Sequence, residues 1–319
     1  MAAFYREAVT GAVKEGYGMA GQLLVFGGGG FVGSNLCTLA LARGWGVHVA
    51  DARIWDALPG AAWHAVDITN AKEVRALVRA LHPDAVVDLA AVADVDRAER
   101  EKDLARAVNV EAAGVIAAAC AAAGSRCVYF SSDAVFAGTA ESYSEKDAQD
   151  PVNWYGRTKA EGERAVSGAC TGAVIVRISL VLGFPVTDGN SFLAGLEQKL
   201  TKGVAVACPT DEIRTPIDVL TLCSCVLELC RPGIEGAIHL GATNSVDRYT
   251  LTRRAASLMG AKEALVTAQP PGQQQPGRAA RHARGVISVD KARGLLATPL
   301  LDWEKSLQKA FDDRPKKER

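Results

Sequence analysis

The feature that narrows the possible folds most is a run of glycines between a strand-forming and a helix-forming segment. Leu23-Leu24-Val25-Phe26 is a short apolar run that predicts a buried strand. It is followed by Gly27-Gly28-Gly29-Gly30-Phe31-Val32-Gly33 and then by a helical pattern that runs to about Arg43, with Gly44 as its stop. The glycines satisfy GxGxxG spacing at 28, 30 and 33, and GxxGxxG spacing at 27, 30 and 33. Such a loop turns tightly and lets backbone N–H groups and the helix dipole meet a pyrophosphate. Gly27, Gly30, Phe31, Val32 and Gly33 are the expected contacts.

A second strand, Val47-His48-Val49-Ala50, ends at Asp51, 18 residues past Gly33. That is close to the spacing at which an acid meets the adenosine ribose of a dinucleotide. A carboxylate there accepts from ribose hydroxyls and repels a 2′-phosphate, which favours NAD. Arg53 offsets part of that repulsion and leaves NADP open. The competing reading, a glycine turn with no ligand, has to account for strand, helix and acid falling in this order.

Further along, short apolar strands alternate with longer helical stretches. Strands are expected at Ala65–Asp67, Ala85–Leu89, Val128–Phe130, Val174–Arg177 and Ala237–Leu240, with helices near Ala71–Leu81, Ala105–Ala123, Tyr155–Val166, Phe192–Lys202 and Val219–Cys230. This rhythm predicts an α/β fold, a Rossmann-type doubly wound parallel sheet with a smaller C-terminal substrate-binding cap. The expected division is an N-terminal extension at 1–18, a dinucleotide-binding unit at 19–182, a cap segment at 183–215, a return to the sheet at 216–240, the rest of the cap at 241–312 and a basic tail at 313–319.

With 36 basic and 36 acidic residues the chain has no net field to attract nucleic acid or an anionic membrane. No apolar run reaches the roughly 18–20 residues that span a bilayer. The eight cysteines include no CxxC pair, and no histidine lies at ligand-like spacing from them. They read as buried, reduced thiols, which predicts a cytoplasmic setting and no metal site.

Asn153-Trp154-Tyr155-Gly156-Arg157-Thr158-Lys159 carries the catalytic signal. On a helix, Tyr155 and Lys159 share a face. Reducing a carbonyl takes a hydride on carbon and a proton on oxygen; a tyrosine hydroxyl can supply the proton, and a nearby ammonium lowers its pKa towards the working range. A YxxxK spacing alone fits an ordinary helix surface equally well. Its place downstream of the glycine loop and of Phe130-Ser131-Ser132-Asp133, where Ser132 stands at a strand's carboxyl end, gives it meaning.

At these residues the chain resembles the extended short-chain dehydrogenases, and within them the dTDP-4-dehydrorhamnose reductase-like group. The resemblance runs from about Gln22 to Phe311. It rests on His82–Ala91, Val95-Asp96-Arg97-Ala98-Glu99, Val108-Asn109, Ser131–Phe136, Tyr155–Lys159 with Glu161 and Glu163, and Arg214-Thr215-Pro216. It implies a Ser132, Tyr155 and Lys159 triad, cofactor contacts at the glycine loop and Ser131, Asp67-Ile68 near the adenine, Ala90 and Ala91 beside the pyrophosphate, and a structural Asn109. The implied substrate is a nucleoside-diphosphate 4-keto sugar, reduced to an alcohol. Candidate substrate contacts are Ser132, Asp133, Asn190, Arg214, Arg278 and Arg281, the arginines because a guanidinium pairs two phosphate oxygens at once.

Two departures from the family pattern stand out. Phe26-Gly27 replaces the usual Thr-Gly, and Ala134 stands where the reductases carry tyrosine. Nucleotide-sugar dehydratases place a glutamate base at that position, so Ala134 disfavours dehydration. An epimerase on the same scaffold and a non-catalytic dinucleotide-binding subunit, like the regulatory subunit of methionine adenosyltransferase, are the alternatives. The Ala105–Ala123 helix could pair two chains as a homodimer or pack within one.

Overall fold

The computed structural model describes residues 21–54, 58–187, 189–272 and 277–315. The N-terminal extension and the basic residues Lys316, Lys317 and Arg319 lie outside them.

Seven parallel strands form the central sheet: β1 (Gln22–Phe26), β2 (Gly46–Asp51), β3 (Ala62–Ala65), β4 (Ala85–Asp88), β5 (Arg126–Ser132), β6 (Val174–Ile178) and β7 (Gly236–Leu240). Their spatial order is β3-β2-β1-β4-β5-β6-β7. Strand order therefore reverses between β1 and β4, and a crevice opens at the carboxyl ends there. The apolar runs are continuous because both faces are covered. Leu23, Val25, Val87, Val128 and Val176 point to one face, where they meet Leu36, Cys37 and Ala40 of α1 (Phe31–Ala42). Leu24, Phe26, Val86 and Tyr129 point to the other, against Val74 and Val78 of α2 (Ala71–Leu81).

Sequence reading placed β3 three residues late. Ala62–Ala65 is the segment that pairs with His48–Asp51, whereas the Asp67 carboxylate turns to accept from the backbone and hydroxyl of Thr69 ahead of α2. After β4 come a short α3 (Val95–Arg100) and a longer α4, whose 22 residues run Lys102–Ala123. By length and mean hydropathy (1.4) α4 could cross a membrane, but it carries Lys102, Asp103, Arg106 and Glu111 and buries Asn109, Val110, Ile116 and Cys120 inside the protein. It packs against α2 and α5 (Trp154–Ala169) of the same chain.

Residues 107–112 of α4 take one π-helical turn, which releases backbone groups from the regular ladder. The Asn109 carbonyl there accepts the Tyr129 hydroxyl at 3.1 Å. The Asn109 amide accepts from Val92 N at 2.9 Å and donates to Thr158 Oγ1 at 3.0 Å. A loop, a helix and a strand thus meet at one buried residue.

The cap has its own core, built from Leu193 and Leu196 of α6 (Phe192–Thr201), Leu251 and Ala255 of α8 (Arg248–Leu258), and Leu307 of α10 (Trp303–Asp312). Between the cap helices, α7 (Val219–Leu229) returns to the sheet beside α1. Within 241–312, α9 (Asp290–Leu295) also leaves the cap and buries Ala292 in the sheet-side core.

Behind the carboxyl edge, Arg177 of β6 grips Glu163 of α5 through two hydrogen bonds of 2.9 and 2.7 Å, and both side chains are buried. Glu163 also accepts from the Ser131 hydroxyl. Breaking a buried pair from one side leaves an uncompensated charge, so Arg177→Met is expected to cost about 3–5 kcal/mol. Urea unfolding checks this, and pairing the change with Glu163→Leu should recover much of the loss.

Candidate active site

The glycine loop joins β1 to α1 as the spacing predicts. A β-carbon at Gly33 would stand 2.4 Å from the Gly27 carbonyl oxygen, so only glycine lets the helix start this close to the loop. Gly30 caps α1 with no side-chain hydrogen bond, whereas Asn70, Asn153 and Ser191 cap α2, α5 and α6. The first-turn N–H groups of Phe31, Val32 and Gly33 have no intrahelical acceptors, and this open, side-chain-free end fits a dinucleotide pyrophosphate. Ala90 lies against Gly27 in the neighbouring loop, followed by half-buried Ala91. Asp51 ends β2 and accepts from Gly29 N at 3.0 Å; Arg53 is exposed beside it. Asp67 is exposed and Ile68 half-buried at the entrance to α2.

One contact at this loop was not legible in the sequence. The Thr187 hydroxyl donates to the Gly29 carbonyl at 2.8 Å, which ties the segment after β6 to the glycine turn.

Ser132 is the last residue of β5 and caps the short turn Asp133–Val135, its oxygen accepting from Ala134 N at 3.2 Å. Tyr155 lies in the first turn of α5, and Lys159 one turn further on the same face. The helix begins here because Asn153 accepts from Gly156 N at 2.8 Å. Gly156 is needed for the approach, since a β-carbon there would sit 2.1 Å from the Ala134 carbonyl oxygen.

Burial pushes the Tyr155 phenol up to about 12; a hydrogen bond with Ser132 opposes this and the nearby Asp133 adds to it. The net shift is opposite to the lowering expected from Lys159. The Lys159 ammonium instead lies over the Tyr129 ring, 4.1 Å from its centroid. Burial brings Lys159 down to about 8, against the pull of Asp88 and Glu163.

Asp133 is tied to the cap. Its Oδ2 accepts from Ser179 Oγ at 2.7 Å and stands 3.3 Å from His282 Nε2 and 3.7 Å from Arg214 Nε. Burial alone would raise its carboxyl, but His282, Arg214 and Ser179 outweigh that and hold it at about 2. Segment 279–283 is fastened at two more points: Ala279 N and Arg281 reach Asp96 of α3 at 2.9 Å each, and the Ala280 carbonyl accepts from Asn153 at 2.9 Å.

The candidate substrate residues therefore separate. The Arg214 guanidinium is taken up by the carbonyls of Ile213, Ala283 and His282, so it braces the cap where the sequence suggested a diphosphate contact. Arg281 is bonded to Asp96, while Arg278 is more open and lines a cleft with Pro209, Asp211, Glu212 and Gln269. Asn190 is exposed before α6. His282, Ser179 and Asp96 went unrecognised because their partners lie far away in sequence. Arg248, whose guanidinium sits 4.2 Å from the Phe192 ring centroid, was missed for the same reason.

A Rossmann-type sheet, an uncapped glycine loop and a Ser–Tyr–Lys set at the carboxyl edge define a dinucleotide-binding protein of the extended short-chain dehydrogenase class. Comparison with known proteins narrows this: residues 21–315 match the family model described as the RmlD substrate binding domain, and the chain belongs to that family. It is 31% identical to the dTDP-4-dehydrorhamnose reductase of Mycolicibacterium smegmatis over 296 residues, covering 92% of this chain and 85% of that one. It is 30% identical to the dTDP-4-dehydrorhamnose reductase of Salmonella typhimurium over 257 residues, covering 77% and 85%. The structure of dTDP-4-dehydrorhamnose reductase from Bacillus anthracis in complex with NADP superimposes with a TM-score of 0.81 at 26% identity, covering 92% of this chain and all of that one (100%). The family resemblance read from the sequence is thereby borne out.

Because folded Asp133 titrates below the ordinary 3.8, its ionised form stabilises the fold above that value, and the contribution fades as the pH falls from 3.8 through about 2. Asp133→Asn should lower stability by about 2 kcal/mol at neutral pH. Urea unfolding at several pH values should show the deficit shrinking over that acid range.

Proposed function

We propose that the protein reduces the 4-keto group of a nucleoside-diphosphate sugar with NAD(P)H. The observation that carries this reading is the placement of Tyr155 beside Ser132 at the carboxyl edge of the sheet, one helical turn from Lys159. A protonated phenol is poised to give a proton to a developing alkoxide, which is the demand of reduction. Its neighbours are unsuited to sugar dehydration: Ala134 offers no base, and Asp133 is fixed as a carboxylate.

Tyr155 would transfer its phenolic proton to the carbonyl oxygen. Ser132, whose hydroxyl now donates to Asp133 Oδ1 at 3.0 Å, would turn to donate to the same oxygen. Lys159 would hold the nicotinamide ribose and steady the phenolate left behind. When bound, the cofactor supplies the hydride. Gly27–Gly33, Ala90 and Ala91 would cradle its pyrophosphate, with Asp67 and Ile68 near the adenine, Asn109 structural, and Ser131 behind the nicotinamide side. On the sugar-nucleotide side Arg278 is the freest candidate for the diphosphate, with Arg281 and Asn190 at the cleft margin. Eight free, buried thiols suit a reducing, cytoplasmic setting.

Tyr155→Phe should lower kcat about 10²–10⁴-fold while NAD(P)H binding persists. Cofactor oxidation with a dTDP-4-keto-6-deoxy sugar and fluorescence titration measure the two separately. One NAD(P)H consumed per alcohol formed supports reduction; turnover without net oxidation identifies an epimerase and sinks the proposal.

Asp51 favours NAD over NADP in this reading. Asp51→Asn keeps an acceptor for Gly29 N but removes the charge, so the ratio of kcat/KM for NADPH over NADH should rise about tenfold, the equivalent of 1.4 kcal/mol. An unchanged ratio would rule out Asp51 as the discriminator.

A further inference from the structure

Asp88 ends β4 in register with Tyr129 on β5. Two residues past Val86, it points towards the same face as Val86 and Tyr129, the face that α5 covers. The Tyr129 ring carries the Lys159 ammonium. Asp88 and Lys159 are 3% and 2% exposed, so two opposite charges lie in the same dry space. Asp88 Oδ1 accepts from Ala90 N at 3.1 Å. Among the described residues, neither Asp88 nor Lys159 makes an ion-pair contact.

The other groups around Lys159 are accounted for. Glu163, one turn along the helix, is gripped by Arg177, which offsets much of its charge. Tyr155 lies one turn back, and β5 adds the neutral Tyr129 and Ser131. From α4 comes neutral Asn109, while Arg106 and Glu111 pair at the surface, Arg106 also with Glu161. Asp133 is held by His282 and Arg214, and on α3 Asp96 is bonded to Arg281 and Glu99 to Trp154 N. Glu99 also stands 3.4 Å from Lys102, so among the described residues Asp88 is the nearby carboxylate with no cation in contact.

We infer that Asp88 is a positioning residue for Lys159, its buried carboxylate keeping the ammonium charged where the proton donor works. Because the support comes without ion-pair contact, the ammonium's N–H bonds stay available to a ligand. The inference rests on the reading of Lys159 as part of the reaction centre. Burial pushes Asp88 up to about 6, opposed by Lys159 and the Ala90 N–H, so between about 6 and 8 both groups carry charge.

Isotope-labelled lysine NMR on the full chain, with Lys159 assigned through Lys159→Arg, tests this directly. The wild-type midpoint is expected at about 8, and Asp88→Asn should lower it by about one unit. An unchanged midpoint overturns the inference, including the case where Asp88→Asn merely lowers thermal stability. Should Asp88→Asn fail to fold, the reciprocal measurement decides: in Lys159→Met the Asp88 carboxyl carbon should titrate above about 6, and an unmoved value overturns the inference. The alkaline limb of kcat/KM for carbonyl reduction should move with the Lys159 midpoint. A shifted NMR midpoint in a protein with no reductase activity upholds the Asp88–Lys159 coupling and sinks the functional reading alone.

Discussion

The arrangement at the carboxyl edge depends on one buried amide. Asn109 bonds the loop after β4 through Val92 and helix α5 through Thr158, the residue beside Lys159. Its own carbonyl, released by the π-helical turn, fixes the hydroxyl of Tyr129, whose ring then carries the Lys159 ammonium. Buried amides are costly to leave unpaired, so the three partners have little freedom to drift apart. Helix α5 therefore meets β5 in a single register, and Tyr155 is presented to Ser132 by the same seating.

Charge around that seat is distributed unevenly. Asp133 is saturated by Ser179, His282 and Arg214, and Glu163 by Arg177 and Ser131. Lys159 is buried and Tyr155 half-buried, neither with an ion-pair partner among the described residues, so their protons respond to what enters the cleft. The carboxylates that build the frame are held by hydrogen bonds and neighbouring cations, and the groups that face the cleft keep hydrogen-bonding capacity. This division explains why the Asp of the Ser-Asp-Ala sequence acts as a brace in spite of its place next to Ser132.

The sheet, its order of elements and the glycine loop were legible because they follow from local rules: apolar runs between helices, glycines at a strand–helix junction, and an acid at the next strand's end. The Ser132, Tyr155 and Lys159 set was legible through position as much as identity. Other features depend on residues far apart in the chain. Arg214 was one of three arginines that could meet a diphosphate, and its carbonyl partners at 282 and 283 are not legible in the sequence. Asp88 lay in a stretch read for its family likeness, and nothing local marks a carboxylate that lies below a lysine 71 positions later. The upward shift of Tyr155 was unreadable because burial, not the neighbouring lysine, decides it. The late placement of β3 had a local cause, the competing turn between Asp67 and Thr69.

The fastening of segment 279–283 has a consequence for how such a protein can diverge. Three of its anchors, Asp96, Asn153 and Asp133, belong to the elements that hold the candidate active site. Changes in this segment that suit a new sugar would disturb the old chemistry at the same stroke. Among the described residues around Asn190, no hydrogen bond or ion pair reaches β5 or α5, and it is there that a lineage can explore new substrates without first rebuilding the candidate site.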